Sequence, residues 1–151
     1  MSGVDLSFRF ESGPLRAHLA RLSARQDWTS ARREIGKYML GDIQDNLGGQ
    51  KLFDGSAMPQ SQAAIKRRGK TLIKSHALYD SYVYQLARGG IELGSNKVYA
   101  HIHHAGGKTG RGHKTSILGR PVMGVGPRQE RKIGDYLIAA IKAIEPSGGV
   151  A

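Results

Sequence analysis

Apolar residues at every second position, Val4, Leu6, Phe8 and Phe10, open the chain with the period of a half-buried strand. After Gly13 the period changes. Pro14 suits a first helical turn, and Leu15, Leu19 and Leu22 recur at helical spacing. From Asp27, an N-cap residue type, the apolar positions Trp28, Ala31, Ile35, Met39 and Ile43 follow every three to four residues until Asn46 and the Gly48-Gly49 pair. This predicts a long helix whose opposite, wet face carries Arg32, Arg33, Lys37 and Asp45. Residues 48–69 fit neither period and predict an extended loop with at most a short helix over 60–67. Leu72 to Ser81 reads as a helical turn or two leading into a β region. Tyr82 to Leu86, Gly90 to Leu93 and Val98 to His103 read as three short strands, most economically an antiparallel meander. Residues 106–119, GGKTGRGHKTSILG, have little to bury and predict a basic loop that stays mobile until something binds it. Pro127 then opens a final helix with an apolar stripe of Ile133, Leu137, Ala140, Ile141 and Ile144, ending before Pro146.

The fold class these elements predict is α+β: a small antiparallel sheet packed by two longer helices, with long basic glycine-rich loops. A chain of 151 residues can bury about two-thirds of its surface on folding, enough for one core. The expected organisation is therefore a single domain over residues 1–151, with an N-terminal strand and short helix in 1–26 and flexible loops at 48–69 and 105–119. No internal repeat is visible. No stretch has the length and apolarity of a membrane span, and the first residues lack an apolar secretory core, so a soluble protein made in a cytoplasm is expected. With no cysteine, disulfides, thiolate nucleophiles and Cys-ligated metals are excluded.

Charge changes the picture more than composition does. The net charge is +11, and its location is uneven. No acid occurs between Gly55 and Tyr79, where Lys66, Arg67, Arg68, Lys70 and Lys74 lie. None occurs between Leu93 and Gln129 either, where Lys97, Lys108, Arg111, Lys114, Arg120 and Arg128 lie. The rest of the chain is close to neutral, so the whole surplus sits in these two segments. Like charges are costly to crowd into a core, which makes both segments surface, either a solvated face or one that meets a polyanion.

Candidate chemistry is sparse. On a strand, His101 and His103 would share one face and could share a metal, with Glu92 as the plausible cross-strand donor. The simpler reading puts His104 on the inward face with Val98, Ala100 and Ile102, and no metal or other cofactor is expected. Gly107-Lys108-Thr109 matches the end of a phosphate-binding loop, but the leading glycine of that motif would fall at Ile102, inside a strand. Neither paired carboxylates nor a serine on a nucleophile elbow is present, Ser75-His76 being adjacent in sequence without the flanking glycines. Binding remains. Basic residues suit sequence-independent phosphate contact. Tyr79, Tyr82, Tyr84 and Tyr99 could stack on bases, although Tyr82 and Tyr84 share a strand face and fit a core or subunit contact equally well.

Val98-Tyr99-Ala100-His101-Ile102-His103-His104-Ala105-Gly106-Gly107 resembles the "YA-x-I-H-x-x-G-G" signature of the phage virion morphogenesis (tail completion) family. Gly69-Lys70-Thr71-Leu72-Ile73 followed by Leu78-Tyr79-Asp80-Ser81 is similar to that family's "GKTLI" and "L-x-D-S" segment, and Arg120-Pro121-Val122-Met123-Gly124 to its "RP-x-x-G". The likeness spans about residues 27–145. Ser75-His76 depart from the family's Thr-Gly, Val122-Met123 replace an aromatic-Leu pair, and its Trp-Pro-Leu stretch has no clear counterpart near Met58-Pro59.

The resemblance implies a non-enzymatic structural protein of tailed phages, at the head-proximal end of the tail or in the neck, as a ring and by analogy a hexamer. It would reside in the virion after assembly in the host cytoplasm. Implied partners are other tail, connector or terminator proteins, further copies of itself, and passing DNA through phosphate contacts, with no membrane. The expected contact residues are Lys66, Arg67, Arg68, Lys70, Lys108, Arg111, Lys114 and Arg120. Tyr99, His103, Gly106, Gly107, Arg120, Pro121 and Gly124 are the expected structural residues of the motifs. A non-specific DNA-binding protein is the alternative, and a metal-dependent hydrolase built on the histidines is a third.

Overall fold

A computed structural model describes residues 13–25 and 27–143. The strand expected over Val4 to Phe10 lies outside the described residues. Helix α1 spans Gly13–Arg25 and α2 spans Thr29–Gly49. Along α2, Ala31, Ile35, Gly36, Met39, Asp42, Ile43, Asn46 and Leu47 are buried at the three-to-four spacing of one helix face. Two details of its ends differ from expectation. The capping position falls on Trp28, and Asp27 acts from one residue upstream, its Oδ1 accepting the Thr29 N–H at 2.9 Å. The helix also continues through Gly48 and Gly49, and the left-handed residue that ends it is Gln50, at φ 54° and ψ 47°. That residue is held by its own side chain: Nε2 donates to Leu47 O at 2.7 Å and Thr71 O at 3.1 Å, while Oε1 accepts the Thr71 N–H at 2.6 Å.

Strands β1 (Tyr82–Ala87) and β2 (Gly90–Ser95) form an antiparallel hairpin in which Tyr84 pairs with Leu93. It lies against α2 at very short range. The Tyr84 ring crosses Gly36 so closely that a Cβ at 36 would stand 2.3 Å from ring carbon Cδ2. Tyr82 goes into the core with Ile43, Leu47, Met58, Leu78 and Val122, and Leu40, Leu52, Leu72, Leu93 and Met123 pack around them. Helix α3 (Gln62–Lys66) falls within the range expected for a short helix, and a 3-10 turn over Tyr79–Ser81 leads into β1.

The expected third strand is a helix. Residues Ala100–Ala105 form α4, entered through Tyr99 at φ −87° and ψ −7° and left at Gly106 with φ +76°. A strand here would have turned Val98 inward with Ala100 and Ile102, but Val98 is 95% exposed. The alternation at 98, 100 and 102 was therefore fortuitous, and among the described residues β2 pairs with β1 alone. The following glycine-rich segment folds into a second antiparallel hairpin, β3 (Gly107–Thr109) and β4 (Thr115–Ile117), joined through a 3-10 turn over Arg111–His113. Gly110 and Gly112, at φ +81° and +70°, give its turn the backbone that other residues resist. The protein is thus α+β, with five helices and two two-stranded antiparallel sheets among the described residues.

Helix α5 (Pro127–Lys142) packs on α2, where Tyr136 meets Tyr38 with ring centroids 6.1 Å apart. Its expected apolar stripe is only partly covered. Ile133, Ala140 and Ile141 are half-buried, Leu137 is exposed, and Ile144 lies outside the described residues. The tightest contact between the two helices is instead polar. Gln129 is fully buried, its Nε2 donating to Asp42 Oδ2 at 2.9 Å and to Phe53 O at 2.8 Å, while Arg128 meets Asp42 Oδ1 at 2.8 Å. Asn46 completes the group by donating to Asp42 Oδ2 at 3.3 Å and Val122 O at 3.0 Å.

Candidate interaction site

The three motif segments converge in space. Gly119 closes on the end of α4, where a Cβ at 119 would stand 2.8 Å from Ala105 O and one at 106 would stand 2.6 Å from Gly119 N. Two backbones approach there more closely than any side chain permits, which accounts for both glycines. His103 O then accepts the Arg120 N–H at 2.8 Å, tying the hairpin's exit to α4. Arg120 is only 6% exposed. Its guanidinium donates to Pro59 O at 2.6 Å, Leu118 O at 3.0 Å and Gln60 O at 3.4 Å. Arg120 had been expected both as a contact residue and as a structural one. Three of its donors go to carbonyls of the chain, which hold the side chain from within, and Arg120 also lines the cleft described next. Phe53 donates its N–H to Pro121 O at 3.0 Å and its ring covers Gly124, where a Cβ would stand 2.6 Å away.

Above this clamp lies a cleft of about 640 Å³. One wall is the first acid-free segment, with Ser61, Arg67, Leu72, Lys74 and Leu78; the other is Tyr99 and His103 of the α4 region with β4 and Leu118. No Asp or Glu lines it. The fold therefore sets the two acid-free segments, 40 or so residues apart in sequence, face to face. The first wall is held in shape by Ser61, whose Oγ accepts the Ala64 N–H at 3.1 Å as a helix cap and whose own N–H goes to the buried Thr71 Oγ1 at 3.1 Å.

The remaining basic candidates divide. Lys66, Arg67, Arg68 and Lys70 are exposed at the end of α3, but Arg67 donates to Lys70 O and to Ile73 O, and Lys70 Nζ donates to Gly48 O at 2.6 Å, capping the C-terminal end of α2. Lys108, Arg111 and Lys114 are exposed on the second hairpin. Of the four tyrosines, Tyr82 is in the core and Tyr84 faces Gly36. Tyr79 stands edge-on to His76 at 5.7 Å, and Tyr99, 38% exposed at the cleft, stands edge-on to His103 at 6.0 Å.

The histidines do not gather. In a helix, residues two apart point to nearly opposite sides, so His101 and His103 lose the common face a strand would have given them. Among the described residues no three His, Cys, Asp or Glu side chains stand close enough to hold a metal ion. Burial, and then the charge of Arg120, hold the His103 imidazole below its ordinary pKa; burial, and then His101, do the same for His104. Both Nδ1 atoms are buried without a hydrogen-bond partner. The Asp42, Asn46, Arg128 and Gln129 group escaped sequence reasoning altogether. Its one sequence signal was Gln129 three residues after Gly126, a helix-start position, where Oε1 accepts the Gly126 N–H at 3.1 Å.

An α+β chain whose three signature segments build one clamp and one basic cleft belongs to the phage virion morphogenesis family, whose model matches residues 11–142. It is 35% identical over 118 residues to the Mu-like prophage FluMu G protein 2 of Haemophilus influenzae (strain ATCC 51907 / DSM 11121 / KW20 / Rd), covering 76% of this chain and 84% of that protein. No solved structure matches. The chain is thus a phage morphogenesis protein of a structural class, virion-associated and working with other virion proteins. Among the described residues no helix is long and apolar enough to cross a membrane.

Proposed function

We propose that this chain is a tail-completion protein: a non-enzymatic adaptor at the head-proximal end of the tail or in the neck, working as one subunit of a ring that joins head to tail. The observation that carries this reading is the exposed basic hairpin. Lys108, Arg111 and Lys114 project from a two-stranded element anchored at its base by Gly106, Gly119 and Arg120, with no acid nearby in sequence. A firmly rooted, outward cationic finger is suited to docking on an acidic ring surface or lining a passage for DNA, where contact with phosphates must let the strand slide.

Replacing Lys108, Arg111 and Lys114 with Ala tests it. These side chains are exposed, so the fold should survive with little change in stability, while phage carrying the triple variant should accumulate unjoined heads and tails in electron micrographs. Normal joining by a folded triple variant removes the adaptor role from the hairpin. Light scattering of the purified chain, alone and with tails, reports the ring.

A further inference from the structure

We propose that the acid-free cleft is a peptide-docking groove, which takes an extended segment of a partner virion protein carrying apolar residues and carboxylates. The proposal deepens the adaptor reading and rests on it only for the identity of the partner's class. Three properties of the cleft define the occupant. Its floor and walls include Leu72, Leu78, Ile117 and Leu118, so the guest must bring apolar side chains. The charged groups that line it are cationic, Arg67, Lys74 and Arg120, with no Asp or Glu to oppose a carboxylate. One wall is β4, whose edge away from β3 has no strand paired to it among the described residues. An unpaired edge beside a groove is the arrangement in which an incoming extended chain adds itself as a strand, with backbone hydrogen bonds for affinity and alternate side chains for specificity.

A phosphate backbone fits these walls less well. Between Arg67 and Lys74 on one side and β4 on the other, much of the surface is aliphatic, and a nucleic acid would have to shed water from its phosphates against it. The exposed ammoniums of Lys108 and Lys114 on the hairpin are freer for that contact. Lys74 is the informative cation, because it is exposed on the cleft wall, whereas Arg67 also holds carbonyls of its own turn.

The test is a selection of random ten-residue peptides displayed against the purified full chain, followed by titration of the enriched peptides. The expected result is enrichment of sequences that alternate apolar residues with Asp or Glu. Their affinity should fall about tenfold or more for Lys74→Glu, through loss of one charge pair and gain of a repulsive one. It should fall similarly when alternate backbone nitrogens of the peptide are methylated, which removes strand pairing and keeps the side chains. An Arg88→Glu variant, exposed in the turn of the first hairpin and outside the groove, should bind the peptides as wild type does. No enrichment, enrichment of basic peptides, or equal binding by a folded Lys74→Glu variant overturns the proposal. So does displacement of the peptide by a thymidine oligonucleotide that itself depends on Lys74, which would make the groove a nucleic-acid site. Head–tail joining by the hairpin variant is read separately, so the groove and the adaptor role can fail independently.

Discussion

Replacing Arg120 with Met keeps an unbranched stem of similar volume and removes every donor of the guanidinium. Three part-buried carbonyl contacts are then lost: Pro59 O at 2.6 Å, Leu118 O at 3.0 Å and Gln60 O at 3.4 Å. A hydrogen bond to a charged donor contributes about 1.5 kcal/mol or somewhat more, so the two shorter bonds are worth about 3 kcal/mol and the long one little. Returning the buried cation's desolvation cost offsets part of this, leaving a net loss of about 2 kcal/mol. For a chain of this size that lowers Tm by roughly 4–8 °C. Urea unfolding followed by far-UV circular dichroism and by fluorescence of the single tryptophan, Trp28, measures it directly. Arg120→Lys should recover less than half, since one ammonium cannot span carbonyls that a planar fork reaches together. A stability of Arg120→Met within about 0.5 kcal/mol of wild type, the ordinary range for surface substitutions, would refute the clamp. If that variant also failed in head–tail joining, Arg120 would be a contact residue after all.

Gly36→Ala should destabilise by about 1–2 kcal/mol although Ala favours helix by about 1 kcal/mol, because the new methyl meets the Tyr84 ring at 2.3 Å; a rise in Tm would refute that contact. Asp42→Ala should cost about 2–3 kcal/mol in urea unfolding, less than the loss of a wholly buried pair because the Arg128 side chain is 55% exposed, and Arg128→Ala should cost less than Asp42→Ala. Stability should also depend on pH through His103 and His104. Both are held below the ordinary histidine value of 6.5, so the folded state binds fewer protons than the unfolded one as pH falls below that value. Their contribution is full above about pH 6.5 and is lost on acidification, and a His103→Gln, His104→Gln double variant should show a flatter urea midpoint between about pH 7 and pH 5.

Much of this protein is legible along the chain. Helices α2 and α5 are visible because a helix face repeats every three to four residues regardless of what covers it, and their limits are off by only a few residues. The β1–β2 hairpin is legible for a similar local reason, with Gly89 at φ +82° in its turn. The segment 98–105 is not. A segment this short fits either period, and it folds as a helix over Ala100–Ala105. Residues 107–117 read as loop because glycine and charge mask the short β-branched stretches Thr109, Thr115 and Ile117, whose pairing becomes visible only once the turn brings them opposite.

By itself, then, the sequence determined the two long helices, the α+β class, the confinement of all surplus charge to two acid-free segments, and the three signature segments of the family. Each is a local property, carried by spacing or by the order of a few neighbouring residues. The tertiary structure alone decided where those segments meet. It turned Arg120 inward onto carbonyls about 60 residues away, pressed Tyr84 onto Gly36, buried Asp42 beneath Arg128 and Gln129, and set two basic segments across one cleft. Such pairings depend on distances closed in space between residues far apart in sequence, and no periodicity records them.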